Sequence, residues 1–164
     1  MIKKKLYVGR PINLYLFEKD KIKDKEFIKF VRKEFPNYDI EDPNQKKHSK
    51  GYLKYKSKIG EEYLGRQITS GMDYYFFEVL PFVDAGLFLP FRDGMFGKGV
   101  FTEALNLHSN GKKIFEANFN WEDSKDLISF PLKIDYKRCL TIEETRSRIY
   151  TDGDFKKGLK SYFY

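Results

Sequence analysis

The sequence predicts an α/β fold with a doubly wound, mainly parallel sheet. Short apolar runs alternate with amphipathic segments along the chain, as expected when parallel strands are covered by helices on both faces. The chain has 164 residues, which suits one domain, and we expect 1–164 to form it. At this length a flavodoxin-like or Rossmann-like sheet is the commonest solution.

The first half of the chain is predicted to alternate strands with helices. Phe27, Val31 and Phe35 are spaced four apart, on one face of a helix. The expected elements are a strand at 6–8, a helix at 24–35, a strand at 38–41, a loop or ragged helix start at 44–58 and a long helix at 59–82. A break near Ser70-Gly71 would divide the long helix, because glycine in a helix interior costs about 1 kcal/mol relative to alanine.

The second half continues the alternation. Thr141-Ile-Glu-Glu144 has the pattern of a capping box, which starts a helix. The expected elements are a strand at 84–89, a Gly-rich loop, a helix ending at Asn110-Gly111, a strand at 113–119, a further strand within 126–134, a helix from Thr141 to about Tyr150, a turn at 152–153 and an amphipathic tail at 154–164.

Charge and cysteine content narrow the class of protein. The net charge is +7, but the lysines are interspersed with acidic residues as on a solvated surface, so we expect no nucleic-acid partner. The single cysteine, Cys139, cannot form a disulfide within the chain and indicates a reducing, cytoplasmic location. No apolar run approaches the roughly 18 residues of a membrane helix, so no membrane partner is expected.

The sequence offers little for a metal or cofactor, and we predict none. The two histidines, His48 and His108, cannot make a three-histidine site and are interpreted as incidental. Asp42, Asp84 and Asp93 are the remaining candidates for Mg²⁺, although Asp84 better suits a helix-to-strand turn.

Glu103 is the first candidate for a reactive group. It follows a strand and a loop with three glycines, at the start of a predicted helix. Ligands of open α/β sheets bind where strands end and helices begin. We place Glu103 in the first helical turn, where the macrodipole favours an ionised carboxylate by about 0.3–1 kcal/mol. The alternative is ordinary helix capping, since glutamate is common in first turns.

Other polar residues are predicted to reach the same cleft. Tyr7 and Gly9 end the first strand, Asp93 follows the third strand, and Ser70 and Asp73 precede it. In a doubly wound order these strand ends lie at one edge of the sheet.

At this point the chain resembles a known family. Tyr7-Val-Gly9, the segment Gly97-Lys-Gly99-Val-Phe-Thr-Glu103-Ala and the later Gly111-Lys-Lys-Ile are similar to motifs of the nucleoside 2-deoxyribosyltransferase family. That family includes the 2-deoxynucleoside 5-phosphate N-hydrolases. The resemblance spans about 5–119 and leaves the last 45 residues unexplained.

The resemblance implies an N-glycosidic-bond enzyme. Glu103 would be the nucleophile that attacks the anomeric carbon of a (deoxy)ribosyl group, Tyr7 would orient its carboxylate, and Asp73 would protonate the departing base. Water as acceptor gives hydrolysis, and a second base gives transfer. The substrate would be a nucleoside or nucleoside monophosphate, held by residues that include Gly9, Ser70, Asp93 and Gly99. Relatives commonly complete the site from neighbouring subunits, so a homo-oligomer is expected.

The chain departs from the family in two places. Transferases often carry Asp six residues before the nucleophile, and relatives that hydrolyse monophosphates carry Ser there, whereas this chain has Gly97. Lys98, Arg10 or Arg92 would have to supply phosphate affinity instead. Asp73 lies eleven residues before Asp84 rather than the usual eight, and Glu78 is the alternative acid.

These departures keep other functions open. The same cleft would serve a module that binds or senses a nucleotide without turning it over. A basic protein associated with nucleic acid is the third alternative, and a steep fall in binding with salt would identify it.

Overall fold

The computed structural model describes residues 2–11, 18–119 and 126–151. The strands are β1 (Lys4–Gly9), β2 (Tyr38–Glu41), β3 (Glu62–Tyr63), β4 (Arg66–Gln67), β5 (Ala85–Phe88), β6 (Lys113–Phe119) and β7 (Leu127–Pro131). The α-helices are α1 (Glu18–Glu34), α2 (Lys46–Lys56), α3 (Lys98–Ser109) and α4 (Ile142–Thr151). A π-helical turn at Tyr75–Val79 and 3-10 turns at Leu80–Phe82 and Tyr136–Arg138 complete the described elements.

The central sheet has five strands in the order β2-β1-β5-β6-β7. β1 pairs in parallel with both β2 and β5, and β5 pairs in parallel with β6. Only β7 runs antiparallel, against β6. The predicted α/β, doubly wound, mainly parallel fold is therefore confirmed, and the antiparallel edge strand is a detail that the sequence did not indicate.

Most of β1 and all of β5 are buried on both faces of the sheet. Side chains along a strand point alternately to opposite faces. On β1, Leu6 and Val8 pack with Phe27 and Val31 of α1. Tyr7, between them, points to the other face and packs in the cluster that contains Leu107 of α3. The first strand therefore directs one aromatic side chain toward the helix that carries Glu103.

Several predicted elements are confirmed. β6 spans the expected 113–119, and α3 ends where Asn110 and Gly111 follow it. Gly111 has a φ of 71°, which suits glycine after a helix. The capping box forms as predicted: the Thr141 backbone N–H donates to Glu144 Oε2 at 2.8 Å, and the Glu144 N–H donates to Thr141 Oγ1 at 3.1 Å.

The continuous helix expected over 59–82 is wrong, and only the part after the predicted break at Ser70-Gly71 is helical. A hairpin of β3 and β4 stands there instead, with a two-residue turn at Leu64-Gly65. Both turn residues have positive φ, 47° and 74°, as type I′ hairpin turns require. The glycines, which were expected to destabilise a helix, lie in turns. The π-helical and 3-10 turns follow later in the segment.

Two helices also differ from the predicted elements. The segment 44–58, expected as a loop or ragged helix start, contains α2, whose buried face carries His48 and Tyr55 seven residues apart. The first helix begins at Glu18, six residues before the expected start. Its first residues are mostly charged and lack the apolar spacing from which the start was predicted. The turn predicted at 152–153 and the tail at 154–164 lie outside the described residues.

Within the described ranges, no helix combines the length and the apolar character that crossing a membrane requires.

Arg10 ties three elements together just beyond β1. Its guanidinium is almost fully buried and bonds Asp24 of α1 at 2.6 and 2.9 Å. It also bonds Asp42, which follows β2, at 2.9 Å. Burial alone would lower the pKa of Arg10, but the two carboxylates outweigh it and raise the pKa, so Arg10 is held as a cation.

Replacing Arg10 with alanine is expected to lower the free energy of unfolding by about 3–5 kcal/mol, because it leaves Asp24 and Asp42 without their buried counter-ion. Urea denaturation of the variant beside Arg92→Ala, which alters an exposed arginine of the chain, measures the difference. Equal stability of the two variants would contradict the structural role of Arg10.

Candidate active site

A buried hydrogen bond joins Tyr7 to Glu103. The Tyr7 hydroxyl donates to Glu103 Oε1 at 2.9 Å, and both side chains are buried, Tyr7 completely and Glu103 to 6% exposure. The contact lies between the carboxyl-terminal half of β1 and the first half of α3. The two residues that the resemblance pairs are therefore neighbours in the structure.

Gly9 lets the carboxylate approach the end of β1. A Cβ atom at Gly9 would lie 3.1 Å from Glu103 Oε2 and 2.6 Å from Cδ1 of Phe88. Any side chain here would strike a buried ring and crowd the carboxylate. Glu103 is thus held by the Tyr7 phenol through one oxygen, while its other oxygen faces the bare backbone of Gly9.

The expected position of Glu103 in its helix is wrong. α3 begins at Lys98 after the N-cap Gly97 and has no acidic residue in its first turn. Glu103 is in the second turn, and the macrodipole effect falls off within the first. Its environment is set by packing against β1 rather than by the helix end.

The expectation of a readily ionised carboxylate is also wrong. Burial raises the pKa of Glu103 from its ordinary value of 4.5 to about 8, and the hydrogen bond from Tyr7 offsets part of this rise. This shift favours the protonated form of Glu103 at neutral pH. Perturbed carboxyl groups of this kind are concentrated at functional sites.

Asp73 and Ser70 lie in one turn before the π-helical segment. The Asp73 carboxylate accepts from the backbone N–H of Thr69 at 2.7 Å and of Ser70 at 3.2 Å, both through Oδ2. Ser70 Oγ accepts from the Met72 N–H at 3.2 Å. The Met72 methyl lies 3.9 Å from a Cβ position at Gly99, so this turn borders the start of α3. Glu78, the alternative acid, is exposed and accepts from the Tyr55 hydroxyl at 2.9 Å.

The remaining loop residues contact the C-terminal part of the chain. Asp93 forms an ion pair with Arg148. The Lys98 backbone N–H donates to Thr145 Oγ1 at 2.9 Å, and a Cβ at Gly97 would lie 3.1 Å from the Thr145 methyl group. Residues of α4 thus cover the loop before α3, a role that the resemblance does not explain.

Arg10 is not placed to bind a phosphate in the way the sequence suggested. Its guanidinium is buried between Asp24 and Asp42. Of the three aspartates considered for Mg²⁺, Asp42 pairs with Arg10, Asp93 pairs with Arg148, and Asp84 accepts from the Lys5 N–H. Among the described residues, no group of three or more His, Cys, Asp or Glu side chains is arranged to hold a metal ion.

The sequence interpretation missed a polar network beside the site. His48, taken as incidental, is buried between Glu41, 2.6 Å from its Nε2, and the Tyr74 hydroxyl, 2.9 Å from its Nδ1. Burial lowers the pKa of His48 more than Glu41 raises it, so the ring is neutral at pH 7. It then donates from Nε2 to Glu41 and accepts from Tyr74.

Aromatic packing links this network to the site. The His48 ring lies 5.9 Å from that of Tyr75, and Tyr75 meets Tyr7 edge-on at 6.4 Å. Only the seven-residue spacing of His48 and Tyr55 in the sequence hinted that His48 faces inward.

Comparison of the chain with protein-family models, with curated proteins and with solved structures found no match in any of the three.

The raised pKa of Glu103 predicts how stability depends on pH. The folded carboxyl keeps its proton up to about pH 8, whereas an ordinary one loses it near 4.5, so the folded state binds more protons in this window. The contribution of Glu103 to wild-type stability is therefore expected to fall as pH rises from 4.5 to 8. Glu103→Gln removes this loss, and its stability relative to wild type should grow across the window by at least about 1.4 kcal/mol, the equivalent of one pKa unit.

Denaturant titrations at a series of pH values measure this difference. Glu61→Gln, at an exposed position, is the matched control and should follow the wild-type curve. A Glu103→Gln curve parallel to wild type would mean that the carboxyl is not perturbed.

Proposed function

We propose that the chain is an N-glycosidic-bond enzyme that cleaves or transfers the (deoxy)ribosyl group of a nucleoside or nucleoside 5′-monophosphate. The observation that carries this proposal is the buried pair of Tyr7 and Glu103 beside Gly9. It lies at the carboxyl-terminal edge of parallel strands, where open α/β sheets bind ligands. The resemblance to nucleoside 2-deoxyribosyltransferases supports the same assignment.

In the proposed reaction, ionised Glu103 attacks the anomeric carbon through Oε2, the oxygen that faces Gly9. The C1′–N bond breaks as the C1′–O bond forms. The electron pair of the C1′–N bond leaves with the base, which takes a proton from an acid. Asp73 is the candidate for that acid. Water, or the nitrogen of a second base, then attacks C1′ and gives its proton to the acid deprotonated in the first step. The C1′–O bond to Glu103 breaks and its electron pair returns to the carboxylate, as in a retaining glycosidase.

Tyr7 has a specific part in this scheme. Its hydroxyl bonds Oε1, which orients the carboxylate and stabilises its negative charge relative to the protonated form. Without that bond, the pKa of buried Glu103 would rise further, and less of the enzyme would be ready to react at neutral pH.

The first test is release of free base, followed by chromatography, from ribo- and deoxyribonucleosides and their 5′-monophosphates, with and without an acceptor base. Glu103→Ala is expected to lower the rate by about 10³-fold or more, because the nucleophile is lost. Tyr7→Phe should cost roughly 10- to 100-fold, the range for a hydrogen bond to a charged group. Full activity of Glu103→Ala would sink the mechanism, and thermal melting confirms that each variant is folded.

The pH profile distinguishes two roles of Glu103. A nucleophile must be ionised, so kcat/KM is expected to rise with pH through about 8, the pKa of the free carboxyl. Tyr7→Phe should move this limb to higher pH. If Glu103 instead gave its proton to the base, kcat/KM would fall through the same pH range.

A non-catalytic module that binds or senses a nucleotide is the second candidate. The observation that favours it is the burial of Glu103. Burial raises the pKa of the carboxyl and so favours its neutral form, which donates a hydrogen bond instead of attacking carbon. A nucleotide that raises the melting temperature yet stays chemically intact over long incubation would support this candidate.

The proposal also carries the expectations of a cytoplasmic location and a homodimer or larger assembly. Light scattering coupled to size-exclusion chromatography measures the assembly.

A further inference from the structure

His48 is a buried titratable side chain that the proposed reaction does not use. It lies on α2 with 2% of its surface exposed, and both ring nitrogens have partners. Nε2 is 2.6 Å from Glu41 Oε1 at the end of β2, and Nδ1 is 2.9 Å from the Tyr74 hydroxyl. Glu41 is paired in turn with Lys47 and Lys5. The imidazole therefore connects a fixed carboxylate to one particular tyrosine.

Tyr74 is held at both its hydroxyl and its ring. Burial raises the pKa of the hydroxyl, which stays protonated and donates to His48 Nδ1. The ring lies against the backbone of Gly51, where a Cβ atom would be 2.2 Å from two ring carbons. Gly51 follows His48 by three residues and so shares its face of α2. The position of Tyr74 is therefore fixed relative to this helix.

A second contact of the same kind joins the two segments. The ring of Tyr52 on α2 lies against the backbone of Gly71, where a Cβ atom would be 2.7 Å from the ring. Each segment thus offers a glycine to a tyrosine of the other. Closely packed interiors transmit displacements because they contain little free space. A change at His48 is therefore expected to reach the segment that begins at Gly71.

Tyr75 carries the position of Tyr74 to the first strand. Its ring meets that of Tyr74 edge-on, with centroids 5.2 Å apart, and lies 5.9 Å from the ring of His48. On its other side it meets Tyr7 edge-on at 6.4 Å. Aromatic pairs prefer such geometry because the positive edge of one ring attracts the negative face of the other. The Tyr7 ring is therefore oriented partly by Tyr75.

The alignment of Tyr7 matters for Glu103. The Tyr7 ring is fully buried and is also packed against Phe88 at 6.2 Å. Among the described residues, its hydroxyl is the group that hydrogen-bonds the Glu103 carboxyl. Hydrogen bonds weaken steeply as their angle departs from linear. A small rotation of the Tyr7 ring would therefore weaken the contact without any change at Glu103 itself.

We infer that His48 is a positioning residue for Glu103, because it holds Tyr74 through Nδ1 and thereby fixes Tyr75, the Tyr7 ring and the bond from the Tyr7 hydroxyl to Glu103. The two nitrogens of His48 divide the work: Nε2 attaches the ring to Glu41, and Nδ1 directs Tyr74. As a statement about catalysis this inference rests on the proposed function, whereas the alignment of Tyr7 on Glu103 does not depend on it.

Three variants separate the two nitrogens. His48→Asn places an amide oxygen near the position of Nδ1, where it accepts from Tyr74, and gives up the contact with Glu41. His48→Gln places its amide near the position of Nε2 and leaves the Tyr74 hydroxyl without its acceptor. Tyr74→Phe removes that hydroxyl and keeps the ring on Gly51. His108→Gln alters an exposed histidine and is the matched control.

The first readout needs no catalysis. The side-chain carboxyl carbon of Glu103 is followed by NMR over a pH series, and Glu103→Gln identifies its signal. The Tyr7 hydrogen bond lowers the pKa of this carboxyl, so Tyr7→Phe should raise its titration midpoint. His48→Gln and Tyr74→Phe should move the midpoint in the same direction by part of that amount. His48→Asn and His108→Gln should stay near wild type.

This pattern differs from that of a purely structural role. If His48 only stabilised the fold, its variants would lower the melting temperature and leave the Glu103 midpoint where it is in wild type. An unchanged midpoint in both His48→Gln and Tyr74→Phe overturns the inference. A midpoint that rises as much in His48→Asn as in His48→Gln overturns the assignment of Nδ1 as the directing nitrogen. Tyr74→Phe removes a single oxygen atom and keeps the test decisive if a His48 variant fails to fold.

Base release supplies the second readout, with the nucleoside or monophosphate that wild type cleaves fastest. The limb of kcat/KM that rises with pH should move to higher pH in His48→Gln and Tyr74→Phe. Activity on the limb then falls roughly tenfold for each pH unit that the limb moves, and returns above it. A loss that is equal at every pH, with no movement of the limb, would contradict positioning through Tyr7.

The two proposals fail differently. Glu103-dependent base release with an unchanged Glu103 midpoint in His48→Gln and Tyr74→Phe overturns this inference and leaves the proposed function standing. Absence of base release from every substrate overturns the proposed function, and the NMR titration still decides whether His48 aligns Tyr7 on Glu103.

Discussion

The hydrogen bond between Tyr7 and Glu103 spans 96 residues of chain and joins the first strand to the helix after β5. It is possible because alternation along β1 points Tyr7 to the opposite face from Leu6 and Val8, and because Gly9 leaves room for the carboxylate. Burying a carboxyl group costs free energy unless a partner is supplied. The phenol of Tyr7 supplies that partner but offsets only part of the cost of burial. The pKa of Glu103 therefore stays above its ordinary value.

Residues of the C-terminal segment contact β6 and the start of α3, although they lie far from the Tyr7–Glu103 pair in sequence. Arg138 holds the segment to Glu116 on β6, and Thr145 holds it to the start of α3. The loop that precedes a helix at the edge of an open sheet is ordinarily where ligands enter. Here that loop is bonded to its own chain at Asp93, Phe96 and Lys98.

A second buried hydrogen-bond network is linked to Tyr7 through the ring of Tyr75. Glu41, His48 and Tyr74 satisfy one another at the carboxyl end of β2. A buried imidazole without partners would be costly, whereas a satisfied network rigidifies its surroundings. Because Tyr75 follows Tyr74 and packs against the Tyr7 ring, the position of the phenol that holds Glu103 depends on elements that the family-like motifs do not include.

The sequence by itself determined the succession of strands in the central sheet and the capping box at Thr141, because apolar periodicity and capping patterns are local signals. The association of Tyr7 with Glu103 was implied by the resemblance to a family and not by any local pattern. The sequence misjudged 59–82, where Leu64-Gly65 forms a hairpin turn and composition alone resembled a helix. Only the tertiary structure decided the protonation of Glu103, the pairing of Arg10 and the cover that Thr145 places over α3. Each of these depends on burial and on partners from distant parts of the chain, which no local pattern encodes.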